Sequence, residues 1–146
     1  MLTALQVEAA RGDDAGEVVR LLQQNRLPVN GALEHLATML VARLSGRVVG
    51  CAALETYPDG VLLRSVAVAP ELQHQGVGRE LTLAALRLAE ALRAPAAFLL
   101  TTTAERYFPK FGFEPIGRDD VPPSIQGSVE FTSACPASAT VMRRRL

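Results

Sequence analysis

The stretch "LLRSVAVAPELQHQGVGREL", Leu62 to Leu81, decides the reading of this chain. Its first half belongs to an apolar run, Val61 to Val68, that reads as a strand, and Val77 to Leu92 carries the strongest helical pattern in the sequence. Gly76 and Gly78 stand between the two. The first amides of a helix have no intrahelical partners and carry the positive end of its dipole. Glycines let those amides approach an anion with no Cβ in the way. Gln73 and Arg79 can add donors at the two ends of the loop. Two nucleotide motifs are excluded. A dinucleotide fingerprint needs a third glycine where Leu81 stands, and a P-loop needs Lys-Ser/Thr where Arg79 and Glu80 follow. On the loop alone, a bare turn into a helix stays open beside a phosphate site.

Working outward, "ALQVEA" (Ala4 to Ala9) alternates as a first strand. Asp14, with Glu17 three residues on, has the spacing of a capping box for a helix whose apolar face is Ala15, Val18, Val19 and Leu22. Met39 to Leu44, Val48 to Thr56 and Val61 to Val68 read as an antiparallel meander, with "SGR" and "YPDG" as turns. If Asp59 and Gly60 occupy the second turn, Glu55 falls opposite Arg64. Leu81, Ala85, Leu88 and Leu92 form a stripe on the long helix, which Pro95 stops. "AAFLLT" suits a strand buried on both faces. "TTAERYFPKF" reads as a short helix capped by Thr102 and bent or cut at Pro109. Phe113 begins another short strand, Arg118 to Pro136 is irregular, and Thr140 to Arg145 is the last strand. The crossover helix implies that the third meander strand and "AAFLLT" run parallel. The expected fold is a mixed α/β (α+β) sandwich with an antiparallel centre, not a doubly wound sheet.

Composition bounds the function. The 146 residues suit a single domain spanning 1–146; 49% are hydrophobic and 21% charged, as in an ordinary folded protein. Lys+Arg and Asp+Glu are 15 each, so the basic excess of a nucleic-acid binder is missing. Arg143, Arg144 and Arg145 read as a solvated strand end. No apolar stretch approaches the roughly 18 residues of a bilayer span, and the N-terminus lacks a basic start followed by an apolar region; a cytoplasmic protein with no membrane partner is expected. Cys51 and Cys135 make neither a disulfide framework nor a zinc site, and no metal is expected.

Two motifs carry a resemblance. Gln73-His74-Gln75-Gly76-Val77-Gly78, placed between a strand and a helix, resembles the CoA-binding signature of the GNAT acetyltransferase superfamily. "AERYFPKFGFEPIG", Ala104 to Gly117, looks like its second motif, and the order and separation agree. The resemblance implies a three-layer fold with a mostly antiparallel sheet flanked by helices, acetyl-CoA as co-substrate and a small-molecule amine as acceptor, and it leaves a homodimer open. The pyrophosphate would lie on the amides of Gln75 to Gly78 beside Gln73 and Arg79. His74 is in the loop and also reads as a plain surface residue. The pantetheine arm would run along Val66, Ala67 and Val68 like an added strand, within reach of Thr101 and Phe108. The thioester would lie near Ser65 and Val66, where an amide, that of Val66, would stabilise the oxyanion.

Many superfamily members carry a general-acid tyrosine where this chain has Phe108. Tyr107, one residue earlier and about 100° round a helix, does not simply substitute; it is a candidate acid, with packing as its preferred role. Loss of the acid is tolerable, since a thiol of pKa roughly 8.5 leaves readily as thiolate. Candidate bases are Glu55 and Glu34, with Glu55 preferred because its partner strand would carry the acetyl group; an ion pair with Arg64 is its alternative role. Arg64 could clamp an acceptor carboxylate. "LLRSVAVAP", "GFEPIGRDDVPPSI" and "EFTSACPASATVMRRRL" are similar to the arsenic-resistance-associated N-acetyltransferase branch, itself similar to the catalytic domain of N-acetylglutamate synthase. That implies an amino acid or amino-acid-like metalloid compound as acceptor, with the tail bringing Phe131 and Cys135 near it. Two other readings stand beside acetyl transfer: a non-catalytic acetyl-CoA sensor, and a metalloid-binding resistance protein using Cys51 and Cys135.

Overall fold

The computed structural model describes residues 4–146. The chain runs β1 (Leu5–Ala9), α1 (Ala15–Gln24), a 3-10 segment (Ala32–Thr38), β2 (Met39–Leu44), β3 (Arg47–Tyr57), β4 (Gly60–Val68), α2 (Val77–Ala91), β5 (Ala96–Thr101), β6 (Glu114–Ile116), a single turn α3 (Pro123–Gln126) and β7 (Thr140–Arg145). One seven-stranded sheet has the order β1-β2-β3-β4-β5-β7-β6. Its pairings are antiparallel except β4 with β5, which are parallel, as the crossover through α2 demands.

Helices and tail cover both faces. Gly50 and Glu55, an odd number of residues apart on β3, point to opposite sides. Gly50 lies beneath Leu81 and Val77 of α2. On the other side Glu55 meets Ser128 of the tail, where Val121 and Ile125 pack with Leu62 and Phe98 in a smaller second cluster. The main core joins Val18 and Leu22 of α1 to Val41, Leu81 and Ala85. Each such fully buried Val or Leu stabilises by about 1.5–3 kcal/mol.

Four local expectations are corrected. The β3–β4 turn is Pro58-Asp59, with Tyr57 opposite Gly60, so Glu55 faces Leu62 and Arg64 faces Ala53. The shift leaves Glu55 and Arg64 on one face as diagonal neighbours, and they still meet. Asp14 makes no cap hydrogen bond to α1. Its carboxylate instead accepts two bonds from the buried Arg43 guanidinium, at 3.0 and 2.6 Å, and one from the Arg11 amide. A bidentate ion pair outcompetes a helix cap. The buried stripe of α2 is Val77, Leu81, Ala85 and Ala89, while Leu92 is 46% exposed, because the helix ends at Ala91 and Leu92 is its cap. No α-helix forms around Tyr107. Pro109 supplies no amide for one, and only a 3-10 turn, Phe108–Phe111, remains. Thr101, not Thr102, accepts the capping bond, from the Ala104 amide at 2.9 Å.

Candidate active site

The site begins with an interruption in β4. Cys51 pairs with Ala67 but Ala53 pairs with Arg64, so Ser65 and Val66 stand opposite Ala52 alone. This is a bulge, and Ser65 takes the left-handed φ of +60° that it requires. Strands β4 and β5 pair only at Val61–Ala97 and Leu62–Phe98. Beyond these pairs the two strands part, and a cleft of about 1240 Å³ opens between Leu63–Val68 on one side and Leu99–Thr103 on the other.

One end of the cleft reaches the loop before α2. His74 (φ +65°) and Gly76 (φ +92°) turn the chain so that Gly76 caps the helix. No side chain caps its first amides, which are left as donors, and a Cβ on Gly76 would meet open space. Gly76, Gly78 and Arg79 line the cleft here, with Arg106 and Lys110 across from them. Gln73 also lines it, but its amide group donates to the Val68 carbonyl at 3.2 Å and to Asn25 Oδ1 at 3.0 Å. It ties the loop to the end of α1. Tyr107 stands over the first turn of α2, its hydroxyl 3.3 Å from where a Gly78 Cβ would be, and burial raises its pKa. That position is at the level of Val68, two residues past the bulge.

The other end is bounded by the loop after α1, the bulge and the tail. Arg64 is fully buried under it, with Nη1 donating to Glu55 Oε2 at 2.8 Å, Nη2 to the Asn30 carbonyl at 2.7 Å and Nε to Ser65 Oγ at 3.2 Å. Glu55 also accepts from the hydroxyls of Ser128 and Tyr57, and His35 Nε2 lies 3.5 Å away. Burial alone would raise the Glu55 carboxyl, but Ser128, Tyr57 and Arg64 outweigh it and hold it below the ordinary carboxylate range. Glu130, on one π-helical turn of the tail, sits 3.4 Å from Arg64 Nη2, and burial pushes its carboxyl up. Cys135 lies beside it, and burial together with the Glu130 charge raises that thiol to about 12. Burial likewise raises the Cys51 thiol to about 12. Neither thiol is poised as a thiolate at neutral pH.

Of the residues singled out in the sequence, the cleft brings together Arg64, Val66, Val68, Gln73, His74, Gly76, Gly78, Arg79, Thr101, Tyr107, Phe108 and Cys135. The others lie outside its lining. Ala67 and Val77 point into the core. Gln75 donates to the Glu71 carbonyl. Glu55 is sealed behind Arg64, and Glu34 is an exposed residue of the 3-10 segment. Phe131 packs on the second cluster under Arg118. The sequence reading passed over Arg26 and Glu130, which do line the cleft. The signal for Glu130 was an isolated acid in "SVEFTSACP", among small and apolar residues.

A sheet split at a bulge, with an uncapped helix start at one end of the split, defines an acetyltransferase architecture. Residues 35–115 match the family described as "Acetyltransferase (GNAT) domain", and the chain belongs to that family. It is 34% identical over 121 residues to an amino-acid acetyltransferase of Ralstonia nicotianae, an alignment covering 75% of this chain and 26% of that protein. It is 30% identical over 112 residues to an N-acetyltransferase of Chlorobaculum tepidum, covering 76% and 69%. The chain spans between 26% and 31% of the first amino-acid acetyltransferases it matches. Among solved structures, N-acetylglutamate synthase from Neisseria gonorrhoeae, complexed with coenzyme A and N-acetylglutamate, superposes with a TM-score of 0.84 at 22% identity, over 97% of this chain and 35% of that one. A Mycobacterium tuberculosis protein in complex with CoA gives 0.83 at 24% identity, over 97% and 99%. At these identities the agreement is one of fold.

Proposed function

We propose that the chain is an N-acetyltransferase that moves an acetyl group from acetyl-CoA to the primary amine of a small, amino-acid-like acceptor, by direct attack with both molecules bound. One observation carries this reading: the parted strands open a single cleft that runs from the uncapped amides of α2 to a polar chamber at the bulge. A diphosphate suits the first end, where the lining charges are Arg79, Arg106 and Lys110. The pantetheine arm lies along Val66 to Val68, whose outer edge β5 leaves free. Thr101, Tyr107 and Phe108 wall that arm. The thioester then falls at Ser65–Val66, where the Val66 amide stabilises the oxyanion. Tyr107, at the level of Val68, serves as a wall residue in this reading, and the CoA sulfur leaves as thiolate. The acceptor enters between the Arg26–Asn30 loop and the tail, over the positive field of Arg64, which Glu55 holds in place. The amino-acid acetyltransferase relatives support an acceptor of that class.

The experiment is titration calorimetry with acetyl-CoA, followed by a thiol-release assay over a panel of amino acids and amino-acid-like metalloid compounds. Binding and turnover on at least one amine are expected. Gly76→Asp, which puts a carboxylate where the pyrophosphate lies, lowers acetyl-CoA affinity at least about 100-fold. Binding with no turnover on any amine would turn the reading to a sensor.

A further inference from the structure

We propose that Glu130 takes the proton from the attacking acceptor amine, an assignment that rests on the acetyl-transfer reading above. An amine that becomes an amide must lose a proton, and the acceptor end of the cleft must supply somewhere for it to go. Among the described residues, Glu130 is the single carboxylate lining the cleft; the other charged side chains there are arginines and one lysine. The remaining titratable groups fit the task less well. The Cys135 thiol, at about 12, stays protonated at neutral pH. Tyr107 lies at the level of Val68 and Gly78, past the bulge. His74 belongs to the exposed loop at the diphosphate end. Glu55 has no path to the acceptor, because it is sealed behind Arg64 and bonded to two hydroxyls.

Glu130 is also built for the role. It is 4% exposed, and the Ser128 hydroxyl receives its backbone amide at 3.2 Å, which fixes the start of the π-helical turn. Its Oε2 stands 3.4 Å from Arg64 Nη2, next to the bulge residue Ser65. The groups facing it are Arg64 from β4, Glu55 behind that arginine with His35 beyond it, and Cys135 with Arg118 from the tail. Arg64 is shared between Glu55 and Glu130, and its charge lowers the Glu130 carboxyl by less than burial raises it. Burial raises the Glu130 carboxyl above its ordinary value, the direction that makes it a stronger base.

In the step itself, the neutral amine attacks the thioester carbon and the N–C bond forms. Glu130 takes a proton from the nitrogen, the C–S bond breaks, and its electron pair leaves on sulfur. The proton held by Glu130 passes through solvent to the CoA thiolate. The products are the N-acetylated acceptor and free CoA, with no other reagent consumed.

The test is Glu130→Gln, which keeps shape and polarity but cannot accept the proton. Acetyl-CoA affinity, read by calorimetry, stays within about twofold of wild type, while kcat/KM falls at least about 100-fold and its pH profile keeps only the acid-side inflection of the acceptor amine, losing the lower one that belongs to the carboxylate. Glu130→Asp restores part of the rate with the lower inflection present, and it carries the test if the Gln variant does not fold. A Glu130→Gln enzyme within about threefold of wild type overturns the assignment. So does a lower inflection that survives in Glu130→Gln and vanishes in His74→Gln. A wild type that binds acetyl-CoA yet acetylates no amine instead brings down the acetyl-transfer reading, and this assignment with it.

Discussion

Arg64 and Glu55 form a buried ion pair whose side chains are 0% and 1% exposed. Removing one partner leaves the other charge stranded, so Glu55→Ala is expected to cost about 3–5 kcal/mol in urea unfolding, far more than a surface carboxylate would. The pH dependence has two opposite parts. Glu55 and Asp14 are held below their ordinary values, Asp14 by the Arg43 guanidinium. The stability they contribute is fully present above the unfolded-state pKa of about 4 and is lost as pH falls through their lower folded values. Glu130 is shifted upward, so its ionised form is disfavoured in the folded state. Its contribution therefore worsens as pH rises from about 4 toward its folded pKa. Glu130→Gln is accordingly expected to melt above wild type at pH 7, with the difference shrinking toward pH 4. A variant that melts lower at pH 7 would contradict the upward shift. Gain of stability with loss of rate is the usual signature of a group kept for chemistry.

At the scale of elements, the contact of α2 with β3 depends on Gly50. A Cβ there would lie 2.8 Å from Leu81 Cδ1, 3.1 Å from the Ala67 carbonyl and 3.2 Å from Val77 Cγ1. Leu81 is fully buried and the carbonyl is backbone in a paired strand, so neither can yield easily. Gly50→Ala is expected to lower stability by about 1–3 kcal/mol, seen as a lower urea midpoint with unchanged slope. Elements governed by periodicity and turn residues were legible in the sequence: Met39–Leu44, Ala96–Thr101 and Thr140–Arg145 fall where the pattern puts them. The glycine loop was legible for the same local reason. What long-range contacts decide was not. Nothing local says that Asp14 prefers Arg43, 29 residues away, to its own helix, or that the hairpin turns at Pro58-Asp59. The tail was least legible, because a lone π-helical turn has no repeating pattern, and Glu130 sits on it. A base placed on strand β3 was the natural expectation from sequence; the structure buries that residue and lines the cleft with the tail instead.

On the scale of the whole molecule, the cleft is where the fold is least self-satisfied. The α2 amides are uncapped, β4 has no β5 partner past Leu62, and Ser65 and His74 hold left-handed φ values of +60° and +65°. Strain of this kind costs about 1–3 kcal/mol per residue and persists only where the surroundings enforce it. Here the Val68 carbonyl, gripped by Asn25 from α1 and by Gln73 from the loop, is one such constraint. A ligand that supplies the missing partners should therefore stabilise the folded state by ordinary linkage. Acetyl-CoA at 100 times its Kd is expected to add about 2.7 kcal/mol. For a domain of this size that is a rise in Tm of about 5–10 °C. The rise should be concentration-dependent and should all but vanish in Gly76→Asp at the same ligand concentration. That variant is a fair control, since a Cβ at position 76 meets no atom within 4 Å and Asp takes the left-handed φ at less cost than most residues. An equal rise in the variant would mean that acetyl-CoA binds away from the α2 loop and would remove the main support for the orientation of the cleft.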